Sequence, residues 1–120
     1  KTAHASMTTI TIPWPPKTLN PNARQHFMAL ARAKRSYRAT CDWTTREAKA
    51  KLDGDGPWRV TLTFHPPDRR SYDHDNLVAR MKSGLDGIAS ALGVDDKLFR
   101  LQAPVIGEPV KWGNVTVTIE

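Results

Sequence analysis

The sequence predicts an α/β (α+β) fold: a small mixed β-sheet packed with two main helices, in the order β-α-β-α-β-β. Three observations predict it. Apolar and polar residues alternate in short segments near residues 10, 62 and 117, as half-buried strands require. Apolar residues recur at steps of three and four in two longer segments, as on one face of a helix. Proline and glycine clusters separate these segments. A chain of 120 residues suits one domain, able to bury about two-thirds of its unfolded surface.

In chain order, residues 1–7 are expected to be a tag remnant or a disordered arm, with Met7 as a natural start, and residues 8–120 a single domain. "TTITIPW" places Ile10, Ile12 and Trp14 on one strand face, and "PWPP" ends that strand because proline cannot donate to a ladder. Asn22 is placed to cap a long helix from about Ala23 to Lys51. Its apolar stripe runs through Phe27, Leu30, Tyr37, Cys41, Thr44, Ala48 and Leu52. "DGDG" at 53–56 breaks it. Val60, Leu62 and Phe64 alternate in the next strand, stopped by Pro66 and Pro67. A second helix is expected from Asn76 to about Leu92, ended by Gly93. Gly84 and Gly87 weaken it by roughly 1 kcal/mol each against alanine, so close packing is the reason to keep them. Residues 98–106 and 114–119 read as the last strands.

Composition narrows the function classes. One cysteine, Cys41, excludes an internal disulfide framework and fits a reducing, cytoplasmic setting. No apolar run is long enough to span a membrane or serve as a secretory signal. The net charge of +6 is unevenly spread. Residues 1–51 hold ten Lys/Arg against Asp42 and Glu47, a net +8, whereas residues 52–120 hold eight Lys/Arg against ten acids, a net −2. The first half therefore suits a polyanion, with Arg32, Arg35 and Arg38 on the polar face of the long helix as nucleic-acid contacts. The competing reading is a solvated helix surface. The Trp and Tyr residues read mainly as structural, with base stacking by Trp14 and Tyr37 as the alternative.

The acids gather at a helix entrance. In extended backbone Asp73 and Asp75 point the same way, with alpha carbons about 6.5–7 Å apart. Converging carboxylates need a cation between them or a helix N-terminus behind them. Asp75 as N-cap with Asp73 near the dipole is one reading; hard oxygen ligands for Mg²⁺ or Mn²⁺ is the other. Asp95 and Asp96 follow the same helix, in a loop able to double back. Lys82 lies two helical turns beyond Asp75 and so on the same face. An i,i+4 pair with Asp86 is the bland alternative for that lysine. Three acids, a lysine and the neighbouring Arg69 and Arg70 form a set suited to metal-dependent phosphodiester hydrolysis.

"PPDRRSYDHDNL" followed by "KSGLDGIASALGVDD" resembles the RusA family of Holliday junction resolvases, especially phage and prophage members. "ITIPWPPKTLNPNAR" is similar to that family's opening strand and proline-rich turn, and the resemblance runs from about Thr8 to Ile119. It implies a homodimer in a bacterial host cell that binds branched, four-way DNA and makes paired symmetric nicks with Mg²⁺ during recombination and repair. It also implies Asp73, Asp75 and Asp96 as metal-binding catalytic aspartates, with Asp95 as a helper. The family's catalytic lysine position, four residues after the second aspartate, is Ala79 here. Lys82 takes that role if three residues are inserted in the helix, and Arg80 is the substitute. Two rivals stand beside this reading: a metal nuclease of broader specificity, and a non-catalytic branched-DNA-binding protein that keeps the acids as caps.

Overall fold

Residues 7–20 and 26–120 are described in a computed structural model. One mixed sheet holds β1 (Thr8–Pro13), β2 (Trp58–His65), β3 (Phe99–Leu101), β4 (Val105–Ile106) and β5 (Asn114–Ile119). The helices are α1 (Phe27–Glu47), α2 (His74–Arg80) and α3 (Lys82–Leu92). The sheet order is β1-β5-β2-β3, with β4 also pairing β2. β5 is antiparallel to both β1 and β2, whereas β3 and β4 run parallel to β2. The parallel pairing follows from connectivity, since α2 and α3 carry the chain from β2 back to the start of β3. The expected mixed α/β architecture is the one observed.

Strand alternation decides what each face does. The rows Ile10–Val117–Leu62 and Ile12–Val115–Phe64 are in register and buried. The intervening rows Thr9–Thr118–Thr61 and Thr11–Thr116–Thr63 occupy the opposite, more open face. Tyr37 and Cys41 of α1, Leu77 of α2, and Leu85 and Ile88 of α3 join the buried strand residues in one core. α1 and α3 lie against each other at glycine distance. A Cβ on Gly84 would sit 2.6 Å from the Tyr37 ring, and one on Gly87 would collide with the backbone carbonyl of Arg38. The packing expected of these two glycines is present.

Several boundaries differ from expectation. The placements of Asn22 as cap, of Ala23 as helix start and of residues 1–6 as an arm lie outside the described residues. Within them, His26 is the N-cap of α1, its ring nitrogen accepting the Met28 N–H at 3.2 Å. α1 ends at Glu47 rather than Lys51, because the chain leaves the helix at Lys49 with φ of 55°. Phe27 is 74% exposed and stacks on His26 instead of entering the core. Thr45, not Thr44, is the buried threonine, donating its hydroxyl to the Cys41 carbonyl at 2.7 Å.

The expected helix from Asn76 to Leu92 is two helices. The Met81 N–H bonds back to Val78 at 3.0 Å, a tight turn that re-aims the chain so that α3 can settle on α1. The expected strand over 98–106 is also divided. Gln102 still donates to Val60 at 2.9 Å, but Pro104 has no N–H and the ladder lapses before β4. Among the described residues no helix is long and apolar enough to cross a membrane.

Burial pushes the Cys41 thiol up to about 12, a hydrogen bond with Tyr37 opposing only part of the rise. The thiol therefore stays neutral through the ordinary pH range, and the thiolate is the reactive form. Folded protein at pH 8 is expected to give no reaction with a disulfide reagent such as DTNB, and one thiol per chain in denaturant. Rapid labelling of the folded state would contradict this burial.

Candidate functional site

Pro66 and Pro67 end β2 and start a loop whose first acid is already occupied. The Asp68 carboxylate accepts the Arg70 backbone N–H at 3.1 Å, the Arg70 side chain at 3.1 and 3.0 Å, and the Tyr72 hydroxyl at 2.9 Å. Desolvation works to raise the Asp68 carboxyl, but these hydrogen bonds and the Arg70 charge outweigh it and hold it below the usual range. Asp73 then caps α2, one carboxylate oxygen accepting the N–H groups of Asp75 (2.9 Å) and Asn76 (3.3 Å). The cap is thus Asp73, not Asp75. Asp75 lies in the first helical turn, so the extended i,i+2 geometry expected for the two carboxylates is not the one observed. Leu77, 1% exposed, pins this short helix to the core.

The second group of acids forms where the chain doubles back. Gly93, with φ 72°, closes α3, and the Val94 N–H returns to Ala89 at 3.0 Å. Asp95 caps the short 3-10 turn Asp96–Leu98 by accepting the Lys97 N–H at 2.9 Å. Asp96 is thereby carried back toward α3, where it lines one cleft with Asp86. The contact with Asp96 raises the Asp86 carboxyl above its ordinary value, burial and the Asp96 charge add to the rise, and the charges of Arg38 and Lys82 oppose it.

Asp96 stands between two clefts. One, of about 370 Å³, has Ala79, Lys82 and Asp96 on mainly apolar walls with Leu85 and Phe99. The other, of about 340 Å³, has Arg38, Asp86, Ser90 and Asp96. Lys82 and Asp96 are therefore brought together, and Ala79 faces the same cleft, as the helical spacing predicts. Asp75 lies one helical turn before Ala79. Asp73, Asp75 and Asp96 do not close into one cage: among the described residues no group of three or more His, Cys, Asp or Glu side chains is placed to hold a metal ion. Asp73 is turned to the α2 backbone as its cap, and Asp96 lines a cleft with Asp86 instead. No ion pair within 4 Å joins Lys82 to Asp86 among the described residues, so the i,i+4 pair is only a longer-range attraction.

The expected arginines divide. Arg32, Arg35 and Arg38 are exposed along α1. Arg70 is held by Asp68, and Arg69 lies 3.8 Å from Glu108 in a fully solvated pair. Arg80, 8% exposed, does not line the clefts of Asp86 and Asp96; it lines a third cleft beside Asp73, Trp14 and Lys17. Tyr37 is buried, its hydroxyl donating to Pro13 at 2.7 Å, and offers no ring to a base. Asp86 was visible in "KSGLDG" only as a partner for Lys82. Four-residue spacing after Lys82 marks its helix face, but nothing local announces that Asp96 folds onto it.

The donor set fits a hard divalent cation in one respect. Asp86 and Asp96 are oxygen donors on the wall of one cleft, the ligand type such an ion takes. No family model matches the chain. It is 38% identical over 117 residues to an uncharacterized protein of Xylella fastidiosa (strain Temecula1 / ATCC 700964), an overlap covering 94% of this chain and 76% of that protein. The chain belongs to the same family as that protein.

Proposed function

We propose that this chain is a Mg²⁺-dependent, structure-selective endodeoxyribonuclease that, as a homodimer, resolves four-way DNA junctions by paired symmetric nicks. The observation that carries the reading is that Asp86 and Asp96 line one cleft with Arg38, while Asp96 shares the adjoining cleft with Lys82, on a basic chain. The resemblance of residues 66–96 to the RusA family supports it from the sequence side. Asp96 and Asp86 would offer the ion, Mg²⁺ or Mn²⁺, two carboxylates, and Asp73 and Asp75 would join them only if the loop before α2 moved. When bound, the ion supplies a Lewis acid and a more acidic water. The chain's own part is electrostatic: Lys82 places a cation in the cleft that contains Asp96, where it can offset charge developing on a phosphate. Arg38 does the same from the α1 side. A two-fold dimer would present two such sites to the two symmetric strands of a junction.

A second reading, a non-catalytic branched-DNA-binding protein, is favoured by one observation: Asp73 and Asp95 both spend a carboxylate oxygen on capping. One experiment separates the readings. The protein is incubated with a mobile four-way junction, a fork and a duplex, with Mg²⁺ and with EDTA, and nicks are mapped on every strand. Paired nicks on opposite junction strands, in Mg²⁺ alone, are expected. Junction binding without nicks in either condition would establish the second reading, and equal cutting of duplex and fork would replace junction resolution by a broader activity.

Arg32, Arg35 and Arg38 are expected to carry backbone contacts. Changing all three to alanine should weaken junction binding in EDTA and reduce the slope of log affinity against log salt by about 3. An unchanged slope would move the DNA off this helix.

A further inference from the structure

Beside Asp73 lies a cleft of about 370 Å³ between the proline-rich turn after β1 and the loop before α2. Its unusual member is Arg80. The side chain is 8% exposed, its Nε is buried without a hydrogen-bond partner, and one Nη lies 3.5 Å from the Pro15 carbonyl. No carboxylate lies within ion-pair distance of it among the described residues, and the undescribed segments, 1–6 and 21–25, contain no acidic residue. The two acids that line the cleft are engaged elsewhere: Asp68 with Arg70 and Tyr72, and Asp73 with two backbone N–H groups. A buried cation with no counter-ion is costly, and protein structures keep one only rarely. Burial accordingly lowers the Arg80 guanidinium from its ordinary range, with Tyr72 opposing.

We propose that this cleft is an anion subsite in which Arg80 receives a phosphate of the DNA strand. Lys17 on the same walls adds a cation, while the Arg70 charge is matched by Asp68. A guanidinium matches phosphate oxygens better than a point charge does. Trp14, set edge-on to Tyr72 at 5.5 Å, and Pro15 supply flat apolar wall for the attached sugar or base. The volume is that of a small-ligand site. The identity of the phosphate as DNA rests on the nuclease reading; the anion site itself does not.

The test uses the whole chain in EDTA. Inorganic phosphate and a short oligothymidylate are titrated separately while the Arg80 Nε–Hε signal is followed by ¹H–¹⁵N NMR, with chloride as control. A saturable shift of that signal with both probes, and none with chloride, is expected. Arg80→Met should reduce affinity for both by about 10- to 100-fold, the worth of a charge-assisted hydrogen bond, while its Tm stays level or rises because an unpaired buried charge is gone. An Arg80 signal indifferent to both probes overturns the proposal. So does an Arg80→Met chain that binds them as the parent does, and so does a Tm loss with unchanged affinity, which would make Arg80 a structural residue. Binding of inorganic phosphate alone overturns the assignment to a DNA strand. Phosphate binding without any Mg²⁺-dependent nicking leaves the subsite standing and removes the nuclease; nicking with a silent Arg80 does the reverse.

Discussion

Gly87→Ala is expected to lower the stability of the fold by about 3 kcal/mol or more, at the upper end of overpacking effects. Alanine would gain about 1 kcal/mol of helix propensity at this interior position of α3. That gain is outweighed because the added carbon would meet main chain: the carbonyl of Arg38 inside contact distance, and the Asp42 nitrogen at 3.0 Å. A flexible side chain could swing aside, but the α1 backbone can yield only by lifting the helix from α3, which opens the core at Cys41 and Ile88. In a domain stable by about 5–15 kcal/mol, such a loss is a large fraction of the total. Urea unfolding of Gly87→Ala beside Gly93→Ala makes the comparison internal. At Gly93 a Cβ meets nothing within 4 Å, so only the left-handed φ of 72° penalises it, by about 1–2 kcal/mol. A Gly87→Ala midpoint at or above that of Gly93→Ala would mean that α1 and α3 do not lie this close.

These glycines also mark how far the sequence can be read. The period of apolar residues located both helical regions and all the central strands, because burial of one face is a local, repeating signal. Gly84 and Gly87 announced tight packing without naming the partner, since the partner, α1, is some 45 residues earlier. The break at Met81 was silent: its side chain continues the apolar stripe, and only the need to lay α3 on α1 re-aims the backbone there. The short β3 and β4 merged in the reading because their exposed Leu101, Val105 and Ile106 look like strand residues, while the gap between them is set by Pro104. At the site, spacing identified Lys82 and Ala79 as sharing a face, a helical property. It could not identify that Asp86 and Asp96 line one cleft, which depends on how Gly93 turns the chain.

Asp96→Asn is expected to cut Mg²⁺-dependent nicking by about 10²–10³-fold while leaving junction affinity in EDTA unchanged. Asp73→Asn and Asp75→Asn should act in the same direction. Asparagine caps helices as well as aspartate does, so loss of activity in Asp73→Asn with an unchanged Tm would be chemical rather than structural. Full cleavage by all three variants would remove the metal-site reading. Asp86→Asn separates charge from folding. In the parent, the Asp86 carboxyl is raised by its contact with Asp96. A carboxyl raised in the folded state contributes stability at low pH and loses it as pH climbs past its folded value. In EDTA, then, the parent should lose Tm as pH rises through and above the usual carboxylate range, and Asp86→Asn should lose less. Mg²⁺ should restore what the parent loses, because a ligand of the folded state stabilises it by mass action. The same addition should leave Asp96→Asn and Asp86→Asn nearly unmoved. An equal Mg²⁺ shift in all three proteins would place the ion away from this carboxylate pair, and with it the chemistry.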